Sequence, residues 1–197
     1  MALELHMTYR GKETIRYHGI LRELMRLSKG FSLIELLIVV AIILIIAAIA
    51  IPNLLQARIS ANESSAAGTL HTLTSAEVTY FNAYPTVGYA SAIAQLGGIS
   101  PCTPTSSTAC IIDNFLATAI PGGPGKSGYY YLATGVVTGG ATYNDAYVIS
   151  AAPISVHYSG NRDFCSNNDG VLRSQMGTTG DVPLATTAAC YAFPVAQ

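Results

Sequence analysis

The chain has 197 residues, a formal net charge of −1, four cysteines and no tryptophan, and only 11% of its residues are charged. A chain with so little charge and no basic surplus lacks the electrostatic footprint of a nucleic-acid binder. The near-neutral total hides an asymmetry: residues 1–30 carry six basic and three acidic side chains, whereas everything after Gly30 carries four basic and eight acidic ones.

The basic residues of the first segment are Arg10, Lys12, Arg16, Arg22, Arg26 and Lys29. A basic flank ahead of an apolar span reads as the cytoplasmic side of a membrane helix. The span follows at once: Gly30-Phe31-Ser32-Leu33-Ile34-Glu35 leads into sixteen uninterrupted apolar residues, Leu36 to Ile51. One carboxylate therefore lies inside a helix of membrane length. A charge at the bilayer centre costs roughly 2.5–3.5 kcal/mol, so an acid there is usually retained for a partner. Ser32 and Glu35 also have the S-x-x-E spacing of a capping box, with Phe31 and Leu36 placed as a hydrophobic staple, and this sets a helix start here.

One long helix is expected over residues 31–82. At about 1.5 Å per residue it would run roughly 75 Å, far more than a bilayer core of roughly 30 Å. Residues 31–51 form the membrane-spanning half. In the second half Ile59, Ala66, Leu70, Leu73, Ala76 and Tyr80 recur at helical spacing, with Arg58, Asn62, Glu63 and Thr69 off that stripe. This half has one face to bury. Pro52 lies between the halves, where the loss of a hydrogen bond and a clash with the preceding turn, roughly 3 kcal/mol, predict a kink.

Residues 83–197 are long enough for a single globular head. An irregular connector is expected to about residue 128, punctuated by Pro and Gly too densely for a sheet. Strands follow in SGYYYLATG, TYNDAYVISAAPI and NRDFCSNNDGVLRS. Tyr129, Tyr131 and Ala133 should face one side of the first, Tyr130 and Leu132 the other. Asn168-Asp169-Gly170 reads as a hairpin turn. The fold class is α+β: a long amino-terminal helix packed on an antiparallel sheet of three or four strands.

All four cysteines, Cys102, Cys110, Cys165 and Cys190, lie beyond the apolar span. An even number in a segment carried outward suggests two disulfides. Three pairings are possible. We expect Cys102 with Cys110, closing a Pro/Thr/Ser loop, and Cys165 with Cys190, tying down the carboxy-terminal region. Zinc is disfavoured by the absence of C-x2-C spacing and of clustered histidines.

The stretch GFSLIELLIVVAIILIIAAIAIPN resembles the amino-terminal signature of the type IV prepilins. The tyrosine-rich strands and the run from Arg162 to Arg173 are similar to the tail of bacterial major pilins. The resemblance implies cleavage after Gly30, N-methylation of Phe31, and assembly through Glu35, met by the positive amino terminus of a neighbouring subunit. It implies a loss of helical regularity near Pro52. Residues 1–30 would be the leader, longer than usual in this family; a true start at Met25 would give MRLSKG. The implied function is structural, not enzymatic: a type IV pilus subunit whose filament serves adhesion, twitching motility or DNA uptake. A pseudopilin of a type II secretion system is the alternative. Expected partners are further copies of the chain, a prepilin peptidase that also methylates, and an assembly platform with its ATPase. The precursor would sit in the inner membrane and the assembled subunit in an extracellular pilus, with no cofactor.

Other signals are weaker. Ala48-Ile49-Ala50 offers a secretory cleavage site that would release a soluble binding protein, but the apolar run is long for a signal peptide and contains Glu35. Gly125-Lys126-Ser127 ends like a phosphate loop, yet Ile120 stands where its first glycine is required. Cys165, Asn167, Asp169 and Gly170 loosely match a calcium loop, with a cysteine as first ligand and Met176 at the twelfth position. His71 and His157 have no acid or cysteine at a catalytic spacing, and both read as structural or surface residues.

Overall fold

The structure, a computed structural model, describes residues 30–196; the basic leader and the alternative start at Met25 lie outside the described residues. The chain divides into two units, one ending at Ala50 and one beginning at Ile51.

Helix α1 runs from Leu33 to Ala83 and includes Pro52. Its apolar opening is long enough to cross a membrane, and none of that stretch is buried. Helix satisfies every backbone group of a greasy segment internally, which lipid requires. The helix stops where Tyr84 precedes Pro85, because the proline ring disfavours helical geometry in the residue before it.

The second half of α1 buries Ile59, Ala66, Thr69, Leu70, Leu73, Ala76, Glu77 and Tyr80. The six apolar positions expected from spacing are all there. Thr69 corrects the reading that placed it off the stripe: it is 4% exposed. Its hydroxyl donates to the Ser65 carbonyl at 2.8 Å and meets the Lys126 ammonium at 3.3 Å. A threonine can be buried on a helix because the backbone behind it accepts its proton.

The connector contains two single-turn helices, α2 (Ile93–Leu96) and α3 (Asn114–Ala117). The Asp113 side chain caps α3, accepting from the Leu116 N–H at 2.8 Å. At Gly88 the backbone has φ +86°, and a Cβ there would lie 2.1 Å from the Asn144 carbonyl oxygen. Only glycine admits the parallel bridge that joins Gly88 to Asn144.

Strands β1 (Tyr129–Val136), β2 (Ala146–Pro153), β3 (Arg162–Asn167) and β4 (Arg173–Met176) form an antiparallel sheet in that order. Registers run Tyr129↔Pro153 to Val136↔Ala146, Ile149↔Ser166 and Cys165↔Arg173. In β1, Tyr129, Tyr131 and Ala133 are buried while Tyr130 and Leu132 are half-buried, as the alternation required. Strand β2 starts later than the sequence suggested. Its expected first residues are diverted: Asn144 Nδ2 donates to the Tyr89 carbonyl, and the Asp145 carboxylate accepts from both the N–H and the hydroxyl of Thr138. The run from Asn161 to Ser174 forms β3 and the start of β4 around the hairpin turn expected at Asn168-Asp169-Gly170. The Gly170 N–H donates to the Asn167 carbonyl at 2.9 Å, and Gly170 takes φ +70°.

All eight residues of β2 are buried, because both faces of the sheet are covered. Tyr147, Ile149 and Ala151 pack into the core that holds Leu70, Leu73 and Tyr80 of α1. On the other face Val148 packs with Cys165, Cys190 and Phe193 from the carboxy-terminal segment, which contains helix α4 (Thr187–Tyr191).

Candidate assembly segment

The residues singled out at the helix start are exposed. Phe31 is 75% and Leu33 80% exposed, and large apolar side chains remain open to solvent as far as Leu54. Contiguous apolar surface on this scale marks a surface that another apolar phase covers. The Glu35 carboxylate accepts the Ser32 N–H at 2.9 Å, and the Leu36 N–H donates to the Ser32 carbonyl at 3.2 Å. Glu35 thus satisfies a backbone donor at the helix start, which is half of a capping box. Among the described residues the ion pair formed is Arg173 with Asp169, so Glu35 meets no cation there. Pro52 has no N–H to offer the Ala48 carbonyl one turn earlier.

The structure joins Cys102 to Cys110 across eight residues of sequence and Cys165 to Cys190 across twenty-five. The first bridge closes the Pro/Thr/Ser loop against Gly98, where a Cβ would lie 2.0 Å from Cys102 Sγ. The Tyr80 hydroxyl donates to the Ser106 carbonyl at 2.5 Å and ties this loop to α1. The second bridge links β3 to α4.

The weaker signals acquire structural roles. Lys126 pairs with Tyr129 in a bridge leading into β1, with positive φ at Gly125, Ser127 and Gly128. Of the calcium-like set, Cys165 is committed to its disulfide, and Asp169 holds Arg173 through a 2.6 Å contact that keeps its carboxyl below the usual range. The His157 ring contacts Asn161 Oδ1 at 3.1 Å, and His71 is exposed on α1.

Two buried carboxyls escaped the sequence reading. Glu77 is 0% exposed in the aromatic core near Tyr89 and Tyr147. Its Oε2 accepts the Ala90 N–H at 2.9 Å, while Oε1 has no partner. Burial pushes the Glu77 carboxyl up to about 8. The signal was present, since Leu70, Leu73, Glu77 and Tyr80 keep the helical spacing, but an acid invites the assumption of a solvated face. Asp163 on β3 is 7% exposed, and burial together with the nearby Asp181 pushes its carboxyl up to about 7.

Residues 25–51 match the family described as the prokaryotic N-terminal methylation motif. Over 40 residues, 20% of this chain, the sequence is 68% identical to the type IV wide pilus major component PilA4 of Thermus thermophilus. Over 55 residues, 28% of this chain, it is 47% identical to the type IV major pilin protein PilA of Myxococcus xanthus. The matched stretches span 30% and 25% of the lengths of those relatives. No solved structure matches the chain.

Proposed function

Because the chain carries the amino-terminal segment of the type IV pilins, we propose that it is a structural subunit of a type IV pilus. The observation that carries this reading is the exposed apolar surface of α1 from Leu33 to Leu54, opened by one acid without a cation among the described residues. Such a helix is stable in lipid, and it leaves lipid only for an equally dry bundle. Copies of the same helix supply that bundle. In it, Glu35 would meet the positive amino terminus of a neighbouring Phe31, since a buried carboxylate needs an opposite charge.

On this proposal residues 1–30 are a leader removed after Gly30, and the new amino group of Phe31 is methylated. The family match beginning at Met25 supports a short leader, MRLSKG. Pro52 marks the place where α1 loses a hydrogen bond and bends within the filament. The precursor resides in the inner membrane, the polymer is extracellular, and the head is a structural module without catalysis. Partners are further copies, a peptidase that methylates, and an assembly platform with its ATPase.

Two measurements test the reading together. Mass spectrometry of the mature protein should find N-methylated phenylalanine at position 31, and filaments sheared from cells should contain this chain as their main protein. A mature chain beginning at Ile51 would refute the proposal. A correctly processed chain absent from surface filaments, whose loss blocks protein secretion, would mark the pseudopilin instead.

A further inference from the structure

Asp163 lies on β3 opposite Gln175 of β4, and its Oδ1 has no hydrogen-bond donor. Asp181 belongs to the strap of residues 177–186 that joins β4 to α4. Its carboxylate accepts from the Thr178 N–H and, at 2.6 Å, from the Thr178 hydroxyl, so the tight turn fixes its position. The carboxyls of Asp163 and Asp181 are neighbours, and each shifts the ionisation of the other. The strap also crosses Asp163 closely, because a Cβ on Gly177 would lie 3.1 Å from Asp163 Oδ1. Two further bonds hold its ends. The Gly177 N–H donates to the Asn161 carbonyl at 2.9 Å, and the Ser150 hydroxyl donates to the Leu184 carbonyl at 2.7 Å.

Among the described residues, the charged and titratable groups on the surrounding elements do not supply a counter-ion. Arg162 is exposed and, as the strand neighbour of Asp163, points to the opposite face. Arg173 of β4 is engaged by Asp169 and lies over the Tyr191 ring. Glu63 of α1 accepts the Asn161 N–H at 2.8 Å and adds only negative charge. The Tyr129 hydroxyl of β1 donates to the Arg162 carbonyl, and burial keeps that phenol neutral far above physiological pH. The His157 ring is held by Asn161 Oδ1.

When two carboxyls are in contact and one of them is out of water, the first charge holds back the second ionisation. The pair must share one proton and titrate as a unit. Its residence is set by the surroundings: hydrogen bonds from Thr178 hold Asp181 low, while burial and Asp181 raise Asp163, so Asp163 donates and Asp181 accepts.

We propose that Asp163 and Asp181 form a proton-held clasp that fastens the strap 177–186 onto β3 and releases it when the shared proton is lost. With the proton present, the O–H of Asp163 satisfies the Asp181 carboxylate. Without it, two negative charges face each other, one with little access to water, and the strap gives way before β3 does, because β3 is paired on both sides.

Hydrogen exchange read by mass spectrometry on the full chain in detergent, with a chelator present, tests this directly. After correction for intrinsic rates, protection of peptides covering 177–186 should fall about tenfold between pH 5.5 and pH 8.5, while β2 peptides stay unchanged. Asp163→Asn, whose amide donates at any pH, should hold the strap at its low-pH protection throughout. His157→Gln should keep the wild-type profile. Equal protection of the wild-type strap at both pH values would overturn the proposal, as would wild-type pH dependence in Asp163→Asn or its loss in His157→Gln. Carboxyl NMR of the wild-type protein provides a readout that needs no variant: a single Asp163 resonance titrating in the ordinary aspartate range would also overturn it.

Discussion

Replacing Glu77 by glutamine should flatten much of the pH dependence of the head's stability. The Glu77 carboxyl has no solvent exposure, and its one bond to the backbone, from Ala90, does not offset the desolvation that raises it from 4.5 to about 8. Below pH 4.5 the acid is neutral in both folded and unfolded chains, and its contribution is fully present. Between 4.5 and about 8 the folded chain retains a proton that the unfolded chain has released. Stability therefore falls as pH rises, by up to about 1.4 kcal/mol per unit. Over the whole window the loss amounts to about 4–5 kcal/mol, a large share of the roughly 5–15 kcal/mol that holds a domain together. Glutamine keeps the shape and never ionises, so Glu77→Gln should match wild type within about 1 kcal/mol at pH 5 and exceed it by several kcal/mol near pH 8.5. Urea unfolding of the detergent-solubilised chain, followed by near-ultraviolet circular dichroism of the buried tyrosines, measures this. Asp163 adds a slope of the same sign that ends near pH 7, so the diagnostic interval lies above it. Parallel pH profiles for the two proteins would refute the reasoning.

Glu35→Ala should leave membrane insertion and processing intact but abolish filaments, which electron microscopy of sheared material reads; normal filaments would remove the assembly role from Glu35. Gly30→Val should block leader removal, and an immunoblot should show only precursor. Replacing Cys165 and Cys190 together by serine should cost about 3.5 kcal/mol, the loop-closure entropy of a bridge spanning twenty-five residues. The shorter bridge from Cys102 to Cys110 should cost less, and denaturant midpoints of the two double variants give the comparison.

Much of this protein is legible in one dimension. A helix of membrane length needs only a run of apolar residues, and the capping contact between Ser32 and Glu35 needs only their spacing, because both are local consequences of helical geometry. The same holds for the buried stripe from Ile59 to Tyr80 and for the alternation of β1. Chain order brought β1 to β4 into sequential pairing, since antiparallel neighbours joined by short turns need no crossover.

What the tertiary structure decided are the contacts between residues distant in sequence. Glu77 keeps the spacing of the buried stripe, but its loss of water depends on Ala90, thirteen residues on, which closes over it. Asp163 and Asp181 became a pair only because the strap returns across β3, and Thr69 became buried because Lys126 and the head cover it. Strand β2 lost its first expected residues when Asn144 and Asp145 found partners in the connector and in Thr138. Periodicity reports which face of an element turns inward. The charge state of a group on that face depends on the solvent it loses and the neighbours it gains, and these are fixed only when the chain has folded.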